Sequence, residues 1–344
     1  MEQPILTSRE SGLLKSLVIS FIDFGVPIGS RYLSKLYHKR LSAATIRNVM
    51  MDLEEKGLVT QPHTSAGRIP TDLGYRCYVN ELMQVEDLSE FEKQQIDHDL
   101  RAVPEKDVQE ILEKACEILS KVSNYLGIAL SPRFYQGKFE KIELVRLSES
   151  KLLVIISLSS GLVRTVTMEM KTSIPPQRLE TTARILNERL SGLTLKQIRE
   201  QFELRLADVA YGDEQLISQL SGSVDRLFAP ENDPVYFKGT HNILSYPEFS
   251  DQERISKILE LIDNQKILIR LIDSSTKADE KISITIGKEN KEELVNNCSV
   301  ITATYRIGDL TGTLGIIGPT RMKYEKVTSL VDYITDEITR LFVQ

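Results

Sequence analysis

The chain has 344 residues, of which 41% are hydrophobic and 27% charged, and it carries a net charge of −6. That length predicts two or three domains with sizeable cores, in a composition ordinary for a soluble globular protein. No run of 18 or more apolar residues occurs, so a helical membrane span is excluded, and the acidic balance speaks at first against nucleic acid.

The start, Met1-Glu2-Gln3-Pro4, lacks a basic stretch followed by an apolar one, so no secretory signal is expected. Leu13, Leu14, Leu17, Val18 and Phe21 then fall on one helical face, and Gly25-Val26-Pro27 ends that helix. Ser30 is placed to cap a short helix over Arg31–Tyr37. His38-Lys39-Arg40-Leu41 reads as a tight connection. Ser42 caps a longer helix that runs to about Lys56 and stops at Gly57. Two short extended pieces, Leu58–Gln61 and Arg68–Pro70, flank the turn-rich Pro62–Gly67. Thr71 caps a further helix through Tyr75, Tyr78, Val79 and Leu82. Residues 85–107 are polar and charged, contain Pro104, and read as a linker.

Ile111, Ala115, Ile118 and Val122 mark another helix, after which the period changes. Residues 139–147, 152–158 and 162–170 predict three strands joined as hairpins. Helical patterning returns over 172–230. Leu179, Ala183 and Leu186 share a face, Gly192 ends that helix and Thr194 caps the next. Gly212 precedes a third carrying Leu216, Leu220, Val224 and Leu227. A short extended piece lies at Val235–Lys238, and Ile255, Ile258, Leu259 and Ile262 mark one more helix. Strand signals resume at 266–272, 281–286 and 299–317, closed by Gly318-Pro319. A last helix passes through Val327, Leu330, Val331, Ile334, Ile338 and Leu341. The strands on either side of 172–247 are expected to pair into one antiparallel sheet, which makes the helical stretch an insertion in an α+β domain.

The informative segment is the helix at 42–56. Ile46, Val49, Met50 and Leu53 point inward, which turns Ala44, Arg47, Asn48 and Met51 outward with Thr45 beside them. A surface helix ordinarily carries Lys and Glu there. Arg pairs bidentately with guanine, Asn does so with adenine, and Thr or Ala meets a thymine methyl. Small Ala44 lets the backbone approach base edges. With the preceding short helix this makes a helix-turn-helix, and 58–70 reads as a wing. Ser30, Arg31 and Ser42 are candidates for phosphate contacts, and His63, Thr64, Ser65 and Arg68 for backbone or minor-groove contacts from the wing. The charge distribution agrees: residues 28–76 hold eight basic and four acidic side chains, a surplus of four, which leaves −10 on the rest.

Catalytic signatures are missing. No GxSxG, Walker A or GxGxxG stretch occurs, and Gly312-Thr313-Leu314-Gly315 lies in strand-like sequence. Cys77, Cys116 and Cys298 are far apart, as are His38, His63, His98 and His241, so neither a disulfide framework nor a zinc site is expected and a reducing cytoplasm is the natural setting. Tyr305, Arg306 and Arg164 could line a sensory pocket, against the simpler reading of a filled core.

Four stretches resemble the HrcA family of heat-inducible transcription repressors. They are Val26-Pro27-Ile28-Gly29-Ser30-Arg31-Tyr32-Leu33; Leu41-Ser42-Ala43-Ala44-Thr45-Ile46-Arg47-Asn48-Val49-Met50; Gln61-Pro62-His63-Thr64-Ser65-Ala66-Gly67-Arg68-Ile69-Pro70-Thr71-Asp72 with Gly74-Tyr75-Arg76; and Ile317-Gly318-Pro319-Thr320-Arg321-Met322-Lys323-Tyr324. Ala43 departs from the proline that the family often has there. The resemblance implies a winged helix-turn-helix over 1–84 and, after the linker, a GAF-like α+β domain over 108–171 and 248–344. It implies a dimerising region inserted at 172–247. It further implies a cytoplasmic homodimer that represses chaperone operons by binding double-stranded DNA at the CIRCE inverted repeat, without cofactor or metal, and with the GroEL chaperonin as modulator. The alternative is a ligand-sensing winged-helix regulator that uses its GAF-like domain.

Overall fold

The computed structural model describes residues 4–37, 41–103, 107–170, 174–207, 214–228, 234–276 and 280–343. The expected connector at His38–Arg40, Pro104 and Gly212 lie outside the described residues. The fold is mixed α+β, and the chain divides into two compact units. One comprises Met1–Leu130, Val235–Thr304 and Thr313–Glu337; the other comprises Ser131–Pro234, Tyr305–Gly312 and Ile338–Gln344.

The first unit opens with α1 (Ser8–Phe24), whose start is closed by a capping box between Thr7 and Glu10 and whose end is Gly25 at φ 67°. Leu13, Leu14, Leu17 and Val18 are buried. α2 (Ser30–Leu36) is capped by Gly29 without a side-chain bond, so Ser30 is the first helical residue rather than the cap. α3 (Ala43–Glu55) begins at Ser42 as expected. The ribbon β1 (Val59–Thr60) and β2 (Ile69–Pro70) is antiparallel. Thr71 caps α4 (Asp72–Cys77), which runs on into a π-helical turn at Tyr78–Leu82. The stretch read as linker contains α5 (Glu90–Arg101), opened by a Ser89–Glu92 capping box. Its apolar stripe is sparse, because Ile96 and Leu100 are its only buried residues. Next come α6 (Val108–Ser123) and β3 (Leu126–Leu130), which is buried at every position. A Cβ on Gly127 would stand 2.5 Å from the Cys116 carbonyl oxygen, so glycine sets how closely this strand meets α6.

The second unit holds β4 (Phe139–Arg146), β5 (Lys151–Leu158) and β6 (Val163–Glu169) as an antiparallel sheet in that order. Leu152, Val154, Ile156 and Leu158 alternate inward along β5. They share a core with α7 (Pro176–Leu190), α8 (Leu195–Leu206), α9 (Glu214–Ser221) and α10 (Val224–Phe228), through residues such as Leu186, Ile198, Leu220 and Phe228. The third predicted helix of this region is therefore two, parted at Gly222-Ser223.

After it the chain forms β7 (Val235–Lys238), α11 (Thr240–Leu244), α12 (Gln252–Asp263) and α13 (Gln265–Ser275). The strand expected at 266–272 is this last helix. Asn264 caps it, and Leu268, Leu271, Ile272 and Ser275 are buried at helical spacing. β8 (Ile282–Ile286), β9 (Cys298–Ile307), β10 (Leu310–Pro319) and α14 (Tyr324–Val343) end the chain. The strand signals over 299–317 fall on two strands, with Gly308 at φ 59° in the turn between them. A five-stranded sheet runs β7-β3-β10-β9-β8, and α12 and α13 pack on it through Ile258, Leu261, Leu268 and Leu271. The expected single sheet is thus corrected: among the described residues the strands at 139–170 pair with one another, and β3 and β7 are the strands that join the C-terminal ones. Among the described residues no helix is long and apolar enough to cross a membrane.

Candidate nucleic-acid interface

Three side-chain layers position the outward face of α3. Ile46, Val49, Met50 and Leu53 are buried, together with Leu33 of α2 and Leu13, Leu14 and Leu17 of α1. At the helix start, Ser42 Oγ accepts the Thr45 N–H at 3.0 Å and lies 2.9 Å from the Thr45 hydroxyl. Opposite the buried stripe, Ala44, Arg47, Asn48 and Met51 are exposed and Thr45 is half-buried, as the periodicity predicts. Arg47 and Asn48 make no hydrogen bond or ion pair among the described residues, so both present unused donors. The Thr45 hydroxyl is engaged with the Ser42 hydroxyl of the cap. Arg31 is exposed and Ser30 half-buried at the start of α2.

The wing is held from two sides. Ile28 and Arg68 exchange both backbone hydrogen bonds at 2.9 Å, tying the ribbon to the segment before α2. Gly67 lies so close that a Cβ would stand 2.3 Å from the Ile28 oxygen. The loop is closed by Gln61, whose side-chain amide donates to the Thr64 oxygen at 2.9 Å and the Ala66 oxygen at 3.0 Å. Gln61 is not among the candidate contact residues read from the sequence, where the signals for it are its place beside the turn and at the head of the third family-like stretch. His63, Thr64 and Ser65 are exposed at the tip. Arg68 is not displayed there. Its guanidinium meets Glu54 of α3 at 2.8 Å and its side chain is 15% exposed. In the chain without DNA this pair ties the wing to α3.

Pairing also revises the charge reading. Lys56 donates to Glu10 at 2.6 Å and to the Ile5 oxygen at 3.0 Å. Glu10, held by Lys56 and by the Thr7 backbone and hydroxyl, has its carboxyl lowered to about 2. Arg76 is bound to Glu289. Among the described residues of this segment, Arg31, Lys35 and Arg47 are the exposed cations left without an acidic partner. Elsewhere, Cys77, Cys116 and Cys298 are buried free thiols, and burial pushes Cys77 up to about 11. No group of three or more potential metal ligands is present among the described residues. Of the three residues considered for a sensory pocket, Tyr305 is buried, Arg306 is exposed, and Arg164 donates to the Arg226 oxygen while lying 6.0 Å over Phe134.

The family model described as HrcA protein C terminal domain matches residues 109–328. A heat-inducible transcription repressor HrcA of Chlorobium limicola is 39% identical, covering 98% of this chain and 97% of its own length. One of the same description from Halalkalibacterium halodurans is 37% identical, covering 98% of each. A crystal structure described as a hypothetical protein superposes with a TM-score of 0.63 at 23% identity, over 98% of this chain and 99% of that one, and so shares the fold. The chain belongs to the HrcA family of heat-inducible transcription repressors.

Proposed function

We propose that this repressor reads the CIRCE inverted repeat upstream of chaperone operons as a homodimer, through a winged helix-turn-helix formed by residues 1–84. The observation that carries this reading is the outward face of α3, where unpaired Arg47 and Asn48 stand beside small Ala44 and the Thr45 methyl. In a major groove these provide two bidentate base readers and two apolar contacts. Ser30, Arg31 and Ser42 hold the DNA backbone, and His63, Thr64 and Ser65 extend the contact from the wing. Family members are transcription repressors and not enzymes, in keeping with a site built from readers rather than from paired acids and bases.

The five-stranded sheet with α6 and α11–α14 serves as the GAF-like body, and the helices α7–α10 carry the dimer contact. Two-fold symmetry then presents two copies of α3 to a palindromic operator. The work takes place in the cytoplasm, and a GroEL-type chaperonin maintains the competent form. Size-exclusion chromatography with light scattering on an operator duplex tests the stoichiometry. Two protomers per duplex are expected; one per duplex refutes the dimeric reading.

A further inference from the structure

The stretch Gln61–Asp72 with Gly74–Arg76 ends on α4, where Asp72, Tyr75 and Arg76 belong neither to the outward face of α3 nor to the wing tip. Asp72 and Arg76 face β8 and the turn that follows it. Asp72 Oδ2 accepts the Lys288 N–H at 3.0 Å. Arg76 Nε donates to Glu289 Oε1 at 2.8 Å, and its Nη2 donates to Glu289 Oε2 and, at 2.6 Å, to the Ile284 oxygen. Glu289 is itself fixed, because its Oε2 also accepts the Ile286 N–H at 2.9 Å. Between these partners Gly287 sits at φ 55°, and a Cβ there would stand 2.2 Å from the Asp72 carboxylate.

The C-terminal stretch Ile317–Tyr324 makes a matching grip. Arg321 donates through two nitrogens to the two oxygens of Glu248, and through Nη1 to the Ile22 oxygen in the last turn of α1 at 3.3 Å. It lies 5.8 Å over the Tyr246 ring. Gly25, at φ 67°, leaves room for it, since a Cβ would stand 3.0 Å from the guanidinium. Tyr75 and Tyr324, one from each motif, have ring centroids 6.0 Å apart.

We infer that Asp72, Arg76 and Arg321 are positioning residues that clasp the helix-turn-helix module to the five-stranded sheet at one angle, and thereby set the separation of the two recognition helices. The inference rests on the dimeric DNA-reading function proposed above. Apolar burial is non-directional, whereas forked arginine–carboxylate bonds fix orientation as well as contact. The connecting segment 83–89 is non-helical and is tied to α14 at Glu86, which leaves rotation to be stopped elsewhere. A module of about 80 residues is roughly 30 Å across. A tilt of about 7° about the clasp therefore moves its opposite side by about 3.5 Å, close to one base-pair step of about 3.4 Å. A small angular slack at the clasp is enough to put one half-site out of register.

The test uses the full chain carrying Arg76→Ala, Asp72→Ala or, from the sheet side, Gly287→Ala, each first checked for an intact dimer and circular dichroism spectrum. Spin labels at Met51→Cys on α3 and Glu260→Cys on α12, both exposed positions, report the angle without DNA. The native thiols are buried, and the labelled protein is diluted into unlabelled protein to isolate distances within one protomer. A single narrow distance is expected in the parent and a broadened one in the variants. In parallel, binding is measured on inverted repeats whose spacer is lengthened or shortened by about 2 base pairs, and on a single half-site. The variants should lose about tenfold on the optimal spacer, less than threefold on the half-site, and much of their spacer preference. An unchanged distance in folded Arg76→Ala and Gly287→Ala proteins overturns the clasp. A broadened distance with an unchanged spacer profile overturns its link to operator register. A parent that binds no inverted repeat defeats the DNA-reading proposal, while the distance measurement still decides the clasp.

Discussion

Arg47→Ala is the most direct perturbation of the reading face. Arg47 sits on the second turn of α3, exposed and unpaired among the described residues, so its removal leaves no buried group without a partner. Ala and Arg are both good helix formers, and an exposed substitution of this kind changes stability by no more than about 0.5 kcal/mol. On DNA the loss is larger. A bidentate contact to guanine supplies about 1–3 kcal/mol of discrimination. A symmetric dimer loses two, so about 2–6 kcal/mol, or roughly 30-fold to 10⁴-fold in operator affinity at about 1.4 kcal/mol per decade. Fluorescence anisotropy on operator and scrambled duplexes of equal length measures both terms. The expected result is a large loss on the operator, a small one on the scrambled duplex, and an unchanged melting curve. Operator affinity within about threefold of the parent would refute the assignment. Equal losses on both duplexes would move Arg47 from base reading to phosphate contact.

Three other outcomes follow from the same geometry. Ser42→Ala removes the side-chain acceptor of the Thr45 N–H and should cost about 1 kcal/mol in urea unfolding of the first compact unit, with weaker operator binding because α3 starts less well ordered. Gly67→Ala places a methyl against the Ile28 oxygen, so the Ile28–Arg68 bridge should open, and amide exchange at Arg68 should rise well before global unfolding. Glu10 has a folded pKa depressed to about 2 from the ordinary 4.5. Its contribution is therefore full above about pH 4.5 and is lost as pH falls toward 2. Lys56→Gln should flatten that acid limb in an unfolding titration, and an unaltered limb would show that the ion pair adds nothing.

How much of this was legible beforehand depended on whether a feature is local. The face of α3 follows from periodicity, and the Ser42 and Thr71 caps from residue type, because each is decided within four residues. The partner of Arg68 is not local. Glu54 is fourteen positions away, and no spacing rule distinguishes a wing arginine that reaches DNA from one that pins the wing. The same limit hid Arg76–Glu289, which joins residues 213 positions apart. Residues 266–272 form a nearly continuous apolar run that suits a buried strand or a helix equally well, and what settles it is Asn264 at the N-cap and burial at helical spacing. The sheet pairing escapes the sequence for a related reason. Alternation along 139–170 identifies strands but carries no information on which strands they join, and β3, the strand that does join the C-terminal ones, is buried at every position and shows no alternation.

The central claim is that α3 reads sequence while the surrounding cations only attract. A salt titration of parent protein on the inverted repeat and on a scrambled duplex separates the two, because phosphate contacts set the slope of affinity against salt and base contacts set the offset between duplexes. Steep slopes of similar size are expected on both, with the inverted repeat bound tighter by at least about 10³-fold throughout. Superimposed lines for the two duplexes would contradict it.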